Sequence, residues 1–387
     1  MKKQKICIIG GSLAGLVTAI GLSKLNCDID LITGNINSKY KSNNTIAISQ
    51  NNFNFLNKLN ISKSLINKVW PCSTMKLYAE TKNKKIPEIF ELNNKKTEKK
   101  IFFMSKNINL INLMVNKIKK TKSISVIKNK NVSKISDSRF LKCIRVGNKN
   151  YKYNLIIMCT GNNSELAKKN FENGVIKNTY NETSITTIIN HKSIKNNITR
   201  QVFLDDSILA LLPISNTETS IVWSVKNELK VKKNKFLKDE IKFYTNKFYK
   251  KVKFKHKIEY NDLNFLIRNK YYKERILLFG DALHIVHPFV GQGFNMVLRD
   301  LIQLEKVLYN KINLGSDVGS AEILSEFSNR AKPNNFAFSI GIDILKNSFS
   351  IKNKYVKEMR NNVIKYFGNK KSIKNIFFNI ADRGFRF

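Results

Sequence analysis

The sequence is short of acid. Asp and Glu number 28 against 69 Lys and Arg, giving a formal charge of +41 on 387 residues. It is also short of arginine, since 10 of those 69 are Arg and 59 are Lys. Arg carries the planar fork that grips phosphate and guanine through two bonds at once. The charge is therefore not composed as a nucleic-acid reader would compose it, and no helix-turn-helix or zinc pattern accompanies it. Lys-, Asn- and Ile-rich usage is what an AT-biased genome produces; a selected polyanion-binding surface is the alternative. Five Pro and 16 Gly exclude a collagen-like or linker-dominated chain. Cys7, Cys27, Cys72, Cys143 and Cys159 are odd in number and form no CxxC. That excludes a disulfide framework or zinc site and suits a reducing compartment. No apolar run approaches the roughly 20 residues a membrane helix needs. The opening MKKQKICIIGGSLAGLVTAIGLSKLNC imitates an export signal. Four glycines interrupt its apolar stretch, Lys24 precedes Cys27 and no A-x-A site follows, so a folded element is expected instead.

What is present is enough to bury a core: 42% hydrophobic and 10% aromatic residues. The length suits two or three domains, or one large α/β unit with an insertion. Residues 5–9 read as a buried strand, Gly10 to Gly15 as a turn, the stretch to about Leu25 as a helix and residues 28–32 as a second strand. Helices are expected over 48–70, 107–120, 234–252, from Phe294 to about Asn310, and over most of 320 onward. Strands are expected within 75–104, at 153–160, at 276–279 and, paired, at Leu209–Pro213 and Ser220–Val225.

Gly10-x-Ser12-x-x-Gly15, with Leu13 and Ala14 between, is a GxGxxG turn whose middle glycine is replaced. The first glycine permits the tight turn and the last the close helix–strand packing. The helix start then offers free N–H groups and a positive dipole end to a pyrophosphate. A plain glycine turn without a ligand is the competing reading. The acid that should follow strand two to hold a ribose is missing, because the chain reads Leu31-Ile32-Thr33-Gly34.

The stronger element is Ile276-Leu-Leu-Phe-Gly-Asp-Ala-Leu-His-Ile-Val-His-Pro-Phe-Val-Gly-Gln-Gly-Phe-Asn-Met-Val-Leu-Arg-Asp300. A strand delivers Gly280 and Asp281 at its C-terminal end, where open α/β sheets bind ligands. Pro288, Gly291 and Gly293 then force a loop before a helix that begins near Phe294. His284 and His287 have no evident third ligand, so no metal is expected. Arg299 and Asp300 read as helix-level ion pairs. The stretches Asn196–Val225 and Ile276–Glu305 are free of lysine in a chain that is about 15% Lys. Buried strands account for this as well as a functional site does.

Segment 276–300 resembles the second FAD-binding motif of the aromatic-ring flavin hydroxylases related to para-hydroxybenzoate hydroxylase, in particular the ubiquinone-biosynthesis branch of polyprenyl-methoxyphenol hydroxylases. Thr45-Ile-Ala-Ile48, Leu212-Pro213, Ile221–Ser224 and the helical tail after 315 are similar to that branch too. The resemblance implies an FAD-binding Rossmann-like α/β domain (1–74, 105–172 and 270–315), an inserted mixed β-sheet substrate domain (75–104 and 173–269) and C-terminal helices (316–387). It implies FAD held by Gly10, Ser12, Leu13, Ala14 and Gly15. Val132 would lie by the adenine. Gly280 and Asp281 would lie at the ribityl or pyrophosphate region, and Pro288, Gly291, Gly293, Phe294 and Asn295 at the flavin ring. Substrate would meet Leu211, Pro213 and Trp223. Such enzymes use NAD(P)H and dioxygen to hydroxylate an electron-rich phenol, here a polyprenylated ring in ubiquinone synthesis. The cofactor does the chemistry, and no acid–base residue is assigned.

Several positions depart from the family pattern. Thr33 stands for the ribose acid, Asn44 for an arginine before Thr45, and Cys159-Thr160-Gly161 with Ser164 and Ala167 for an Ala-Asp-Gly, Ser, Arg motif. Each lost contact is worth roughly 1–3 kcal/mol. The alternative function is therefore a weakly FAD-binding or non-catalytic accessory member of a quinone-synthesis complex. The expected location is cytoplasmic; Ile376–Ile380 with Arg383 and Arg386 read either as an ordinary core-packing tail helix, the preferred reading, or as a peripheral contact to the inner face of the membrane.

Overall fold

The computed structural model describes residues 3–34, 44–61, 65–93, 100–128, 132–161, 164–171, 174–228, 234–288, 291–351 and 353–384. Arg386 lies outside them. In chain order the first half comprises β1 (Gln4–Ile9), α1 (Leu13–Leu22), β2 (Cys27–Ile32), β3 (Thr45–Ser49), α2 (Gln50–Lys58), β4 (Trp70–Cys72), β5 (Thr74–Ala79), β6 (Glu88–Asn93), β7 (Phe102–Lys106), α3 (Asn107–Lys119), β8 (Ile124–Ile127), β9 (Val132–Ser138), β10 (Leu141–Val146), β11 (Lys149–Tyr153), β12 (Leu155–Met158) and α4 (Glu165–Asn170). Then come β13 (Val175–Asn190), β14 (Ile198–Phe203), β15 (Ser207–Pro213), β16 (Glu218–Lys226), α5 (Asn234–Thr245), β17 (Lys253–Phe254), β18 (Glu259–Arg268), β19 (Tyr272–Lys273), β20 (Ile276–Leu278), β21 (His284–Ile285), α6 (Gly293–Asn313), α7 (Ala321–Phe349), α8 (Lys354–Asn369) and α9 (Lys371–Arg383).

The short apolar runs at β1, β12 and β20 are buried on both faces, as parallel strands covered by helices must be. They pair in the order β20-β12-β1-β2-β8, all parallel, with β19 as an antiparallel edge. From β1 the chain moves one way to β2 and β8, then returns to the other side for β12 and β20. The strand order reverses between β1 and β12, which is where such sheets bind ligands. Helix α1 is buried along nearly its whole length, so its lack of an amphipathic stripe follows from burial.

The second sheet runs β21-β18-β13-β16-β15-β14-β5-β6, antiparallel except where β14 meets β5. One face buries Ile185, Leu209, Leu211 and Trp223 against Leu237, Ile241 and Tyr244 of α5. The other turns Ala210 and Leu212 towards Ala47, Phe102 and Met104 of the small sheet formed by β3, β7 and β4. The C-terminal helices close over this arrangement. Asp382 of α9 reaches the start of α2, where its carboxylate accepts the Asn51 N–H at 2.7 Å and its carbonyl accepts the Ser49 hydroxyl at 3.0 Å.

The helix expected over 48–70 stops at Lys58. Asn60 takes a left-handed conformation (φ 55°), the Ile61 N–H bonds the Leu56 carbonyl and the Asn60 N–H that of Asn57. This is a Schellman-type stop built on Asn in place of Gly. The helix expected over 234–252 ends at Thr245. The β9–β10–β11 meander was not anticipated, because its Lys-, Ser- and Asp-rich strands are half exposed and lack a clean alternation.

Candidate active site

Three strand ends converge at the reversal point. Gly10 leaves β1 with φ 131°, and a Cβ there would stand 2.3 Å from the Cys159 carbonyl oxygen at the end of β12. A Cβ on Gly15 would stand 2.0 Å from the Gly10 oxygen, so both glycines are required by backbone packing alone. Gly280, past the end of β20 with φ 62°, would carry a Cβ 2.7 Å from that of Ala14. The first turn and the second motif, some 270 residues apart in sequence, thus touch. Arg268 fixes the second motif from behind. Its buried guanidinium donates to the Ala282 carbonyl at 2.8 Å and the Phe171 carbonyl at 2.9 Å. Burial pushes the Cys159 thiol up to about 12, so it stays protonated.

These strand ends offer donors. Ser12 caps α1 in extended backbone conformation, with an exposed side chain that makes no capping bond, and no acid stands in the first turn. The first N–H groups of α1 lack intrahelical partners. The Thr160 hydroxyl, beside Gly10, is buried without a hydrogen-bond partner. Asp281 is exposed to solvent but ringed by protein; that crowding raises its carboxyl, with His284 pulling the other way. The α6 start is also uncapped, at Gln292, whose buried Oε1 has no partner. Gly291 (φ 63°) packs against Ala47, whereas a Cβ on Gly293 would meet nothing within 4 Å. Among the described residues no neighbour explains a glycine at 293; a flat group lying on that backbone would. The unpartnered hydroxyl, the two open helix starts and this bare glycine fit a dinucleotide cofactor with a planar ring.

Other positions do not favour one. Thr33 is buried and spends its hydroxyl on the Gly34 carbonyl at 2.5 Å. Ser164 caps α4 by accepting the Ala167 N–H at 3.3 Å, and Ala167 is core. Val132 starts β9 with its side chain in the main core. The Asn295 side chain is committed to protein. It donates to the Ala47 carbonyl at 2.8 Å and accepts from the Ser49 N–H and the Asn52 amide, both at 2.9 Å. The side chain thus ties α6 to β3 and α2, which leaves the expected cofactor contact to the backbone at 295. Leu13 is half-buried against the core and Phe294 packs beside it.

Below Pro288 and Gly291 lies a cavity of about 230 Å³ between the loop and the second sheet. Its walls are mostly apolar, with Ala47, Met75, Phe102, Met104, Leu212 and Val222 prominent. Thr45 and Thr186 line it too, and their hydroxyls are buried without partners. The expected substrate contacts Leu211 and Trp223 face the opposite way, into the α5 core. Pro213, two residues beyond Leu211, shares its face of β15. Side chains alternate along a strand, so an assignment one residue out selects the wrong side of the sheet. The residues of these strands that do reach the cavity are Ala210, Leu212 and Val222.

A dinucleotide turn at a strand-order reversal, a second motif that meets it and a cavity under that motif define a flavin-dependent monooxygenase fold. Solved structures agree. The p-nitrophenol 4-monooxygenase PnpA of Pseudomonas putida superposes with TM-score 0.80 at 13% identity, covering 100% of this chain and 99% of that one. Klebsiella pneumoniae HpxO, complexed with FAD, superposes with TM-score 0.78 at 13% identity, covering 98% and 99%. Residues 152–378, more than half of the chain, match the squalene epoxidase family model, and the chain belongs to that family. Among curated relatives, the ubiquinone biosynthesis monooxygenase COQ6 of Dictyostelium discoideum is 32% identical over 28% of this chain and 22% of its own length. COQ6 of Danio rerio is 26% identical over 51% and 48%. The ubiquinone hydroxylase UbiL of Rhodospirillum rubrum is 27% identical over 44% and 41%. The matched part thus spans about half, or less, of these relatives.

Proposed function

We propose that this protein is an FAD- and NAD(P)H-dependent monooxygenase that hydroxylates the ring of a polyprenylated phenol in ubiquinone synthesis. The supporting observation is the apolar cavity with two unpartnered hydroxyls directly under Pro288 and Gly291. FAD, when bound, supplies the reducing equivalents and the activation of dioxygen. The balance is one aromatic C–H and one dioxygen converted to C–OH and water, with NAD(P)H and a proton consumed. Gly10, Ser12, Gly15 and Thr160 would hold the pyrophosphate region. Gly291, Gly293 and the start of α6 would face the ring. Thr45 and Thr186 orient the phenol oxygen by hydrogen bonds that they otherwise lack, and the apolar walls exclude water from the reacting carbon.

Protein reconstituted with FAD and supplied with NAD(P)H, dioxygen and a short-chain prenylphenol is expected to yield a product one oxygen atom heavier. Flavin-loaded protein that releases only peroxide would refute the hydroxylase reading. Protein that stays colourless after FAD addition would favour the accessory reading, which the self-satisfied Thr33 and the core-packed Ala167 support.

Among the described residues, no helix is long and apolar enough to cross a membrane. The expected contact at Ile376–Ile380 divides. Ile376 and Phe377 are exposed, whereas Phe378 and Ile380 pack inward. The larger exposed apolar stripe is on α8, where Tyr355, Met359, Val363 and Tyr366 are 78%, 63%, 45% and 59% exposed. Exposed Lys354, Lys365, Lys370 and Lys371 flank it. This suits a helix lying on an anionic lipid surface that presents a prenylated substrate. The protein should co-sediment with phosphatidylglycerol-containing vesicles in a salt-sensitive way. Met359→Ser with Tyr366→Ser should cut that binding about tenfold; unchanged sedimentation would rule the contact out.

A further inference from the structure

The loop that roofs the cavity has little of its own to hold it. Between β20 and α6 it contributes a single turn and the two-residue strand β21. Its two histidines are nevertheless almost fully buried, at 2% exposure for His284 and 1% for His287. Each turns Nε2 to a carboxylate: His284 to Asp300 at 2.7 Å, His287 to Glu182 at 3.3 Å. Each carboxylate is in turn held from α7. The Asn335 amide donates to both Asp300 oxygens, at 2.9 and 3.1 Å, and to the Tyr271 hydroxyl at 3.3 Å. The Lys346 ammonium meets the other Glu182 oxygen at 2.7 Å. Positions 335 and 346 lie three helical turns apart, on one face of one helix. Tyr180 completes the second group, with its ring 4.6 Å from the Lys346 nitrogen and edge-on to His287 at 5.3 Å.

Burying Lys346 and Glu182 is costly, because each ion leaves water for an interior where attraction only partly compensates. An apolar pair would pack α7 as well. The ion pair does something an apolar pair could not: it fixes one particular imidazole, next to Pro288, by a directed bond. Burial alone would raise the Glu182 carboxyl; the bonds from His287 and Lys346 outweigh that and keep it lowered, hence ionised.

We propose that Lys346, acting through Glu182 and His287, is a positioning residue that sets the height of Pro288 over the cavity. Asn335, acting through Asp300 and His284, sets the loop's other end. Helix α7 thereby fixes the geometry of a site it does not line. The structural part stands without the monooxygenase reading; its consequence for hydroxylation rests on that reading.

Two measurements separate these parts. In cofactor-free protein, Lys346→Met should speed amide hydrogen exchange across 284–287 by tenfold or more while β12 and β20 stay protected. Lys346→Arg should restore most of the protection. Ile342→Ala, an apolar cut on the same face of α7, should lower the melting temperature without that local opening. Exchange unchanged in Lys346→Met, or raised uniformly through α7 and both sheets, would overturn the proposal. In FAD-loaded protein, Lys346→Met should retain flavin, change its visible circular dichroism and lower kcat severalfold with KM little altered. An unaltered flavin spectrum with a simple loss of stability would reduce the ion pair to a packing element. Local opening in Lys346→Met together with wild-type protein that never hydroxylates would retain the clamp and refute the proposed reaction.

Discussion

Gly293→Ala is expected to leave cofactor-free protein as stable as wild type, or up to about 1 kcal/mol more stable, because alanine is the better helix former. The same change should weaken FAD binding by about tenfold or more, equivalent to about 1.4 kcal/mol. The two effects have different origins. Among the described residues a Cβ at 293 meets no atom within 4 Å, so a ligand on that backbone is what would object to it. Gly15→Ala is the contrast. Its Cβ would lie 2.0 Å from the Gly10 oxygen, so the turn itself must open. Stability should fall by about 3 kcal/mol or more, with FAD binding lost as well. Thermal melts of the FAD-free proteins, with flavin fluorescence titrations, distinguish the two. Equal behaviour of both variants would mean that Gly293 serves packing.

The cavity gives the second large effect. Ala210→Phe places a ring among Met75, Leu212 and Val222 in a space of about 230 Å³. Hydroxylation should fall by about a hundredfold or more, since displacing the reacting atoms by about 1 Å already has that cost. Flavin content should hold, because Ala210 lies on the sheet side of the cavity. Leu211→Met, one residue along and facing α5, should cost under about 1.5 kcal/mol of stability and leave turnover near wild type. Turnover lost in Leu211→Met and kept in Ala210→Phe would place the substrate on the other face of the sheet.

That pair also shows what the sequence could and could not disclose. Its lysine-free stretches and the run Leu209–Pro213 pointed to strands that line the cavity. The face was not readable, because β15 is apolar at consecutive positions and buried on both sides, so no alternation betrays direction. The two glycine motifs were legible because positive φ and contacts under 3 Å leave glycine no substitute. The structural task of the Asn295 side chain was not legible, because an amide joining separate segments looks like any other amide until its partners are known. The Glu182–His287–Lys346 group had no sequence signal at all, since its members come from β13, a loop and α7, with 164 residues between the first and last.

The docking of Asp382 on Ser49 and Asn51 has a consequence for biosynthesis. The dinucleotide turn is made well before its neighbours Thr160 and Gly280. The carboxylate that finishes the start of α2 comes more than 330 residues after Asn51. β1 is likewise closed late, when the Gln4 amide bonds the Ser316 carbonyl and the Val318 N–H. Contacts this distant in sequence form slowly and expose apolar strands meanwhile. A nascent chain therefore keeps the start of α2 unfinished until α9 has been made.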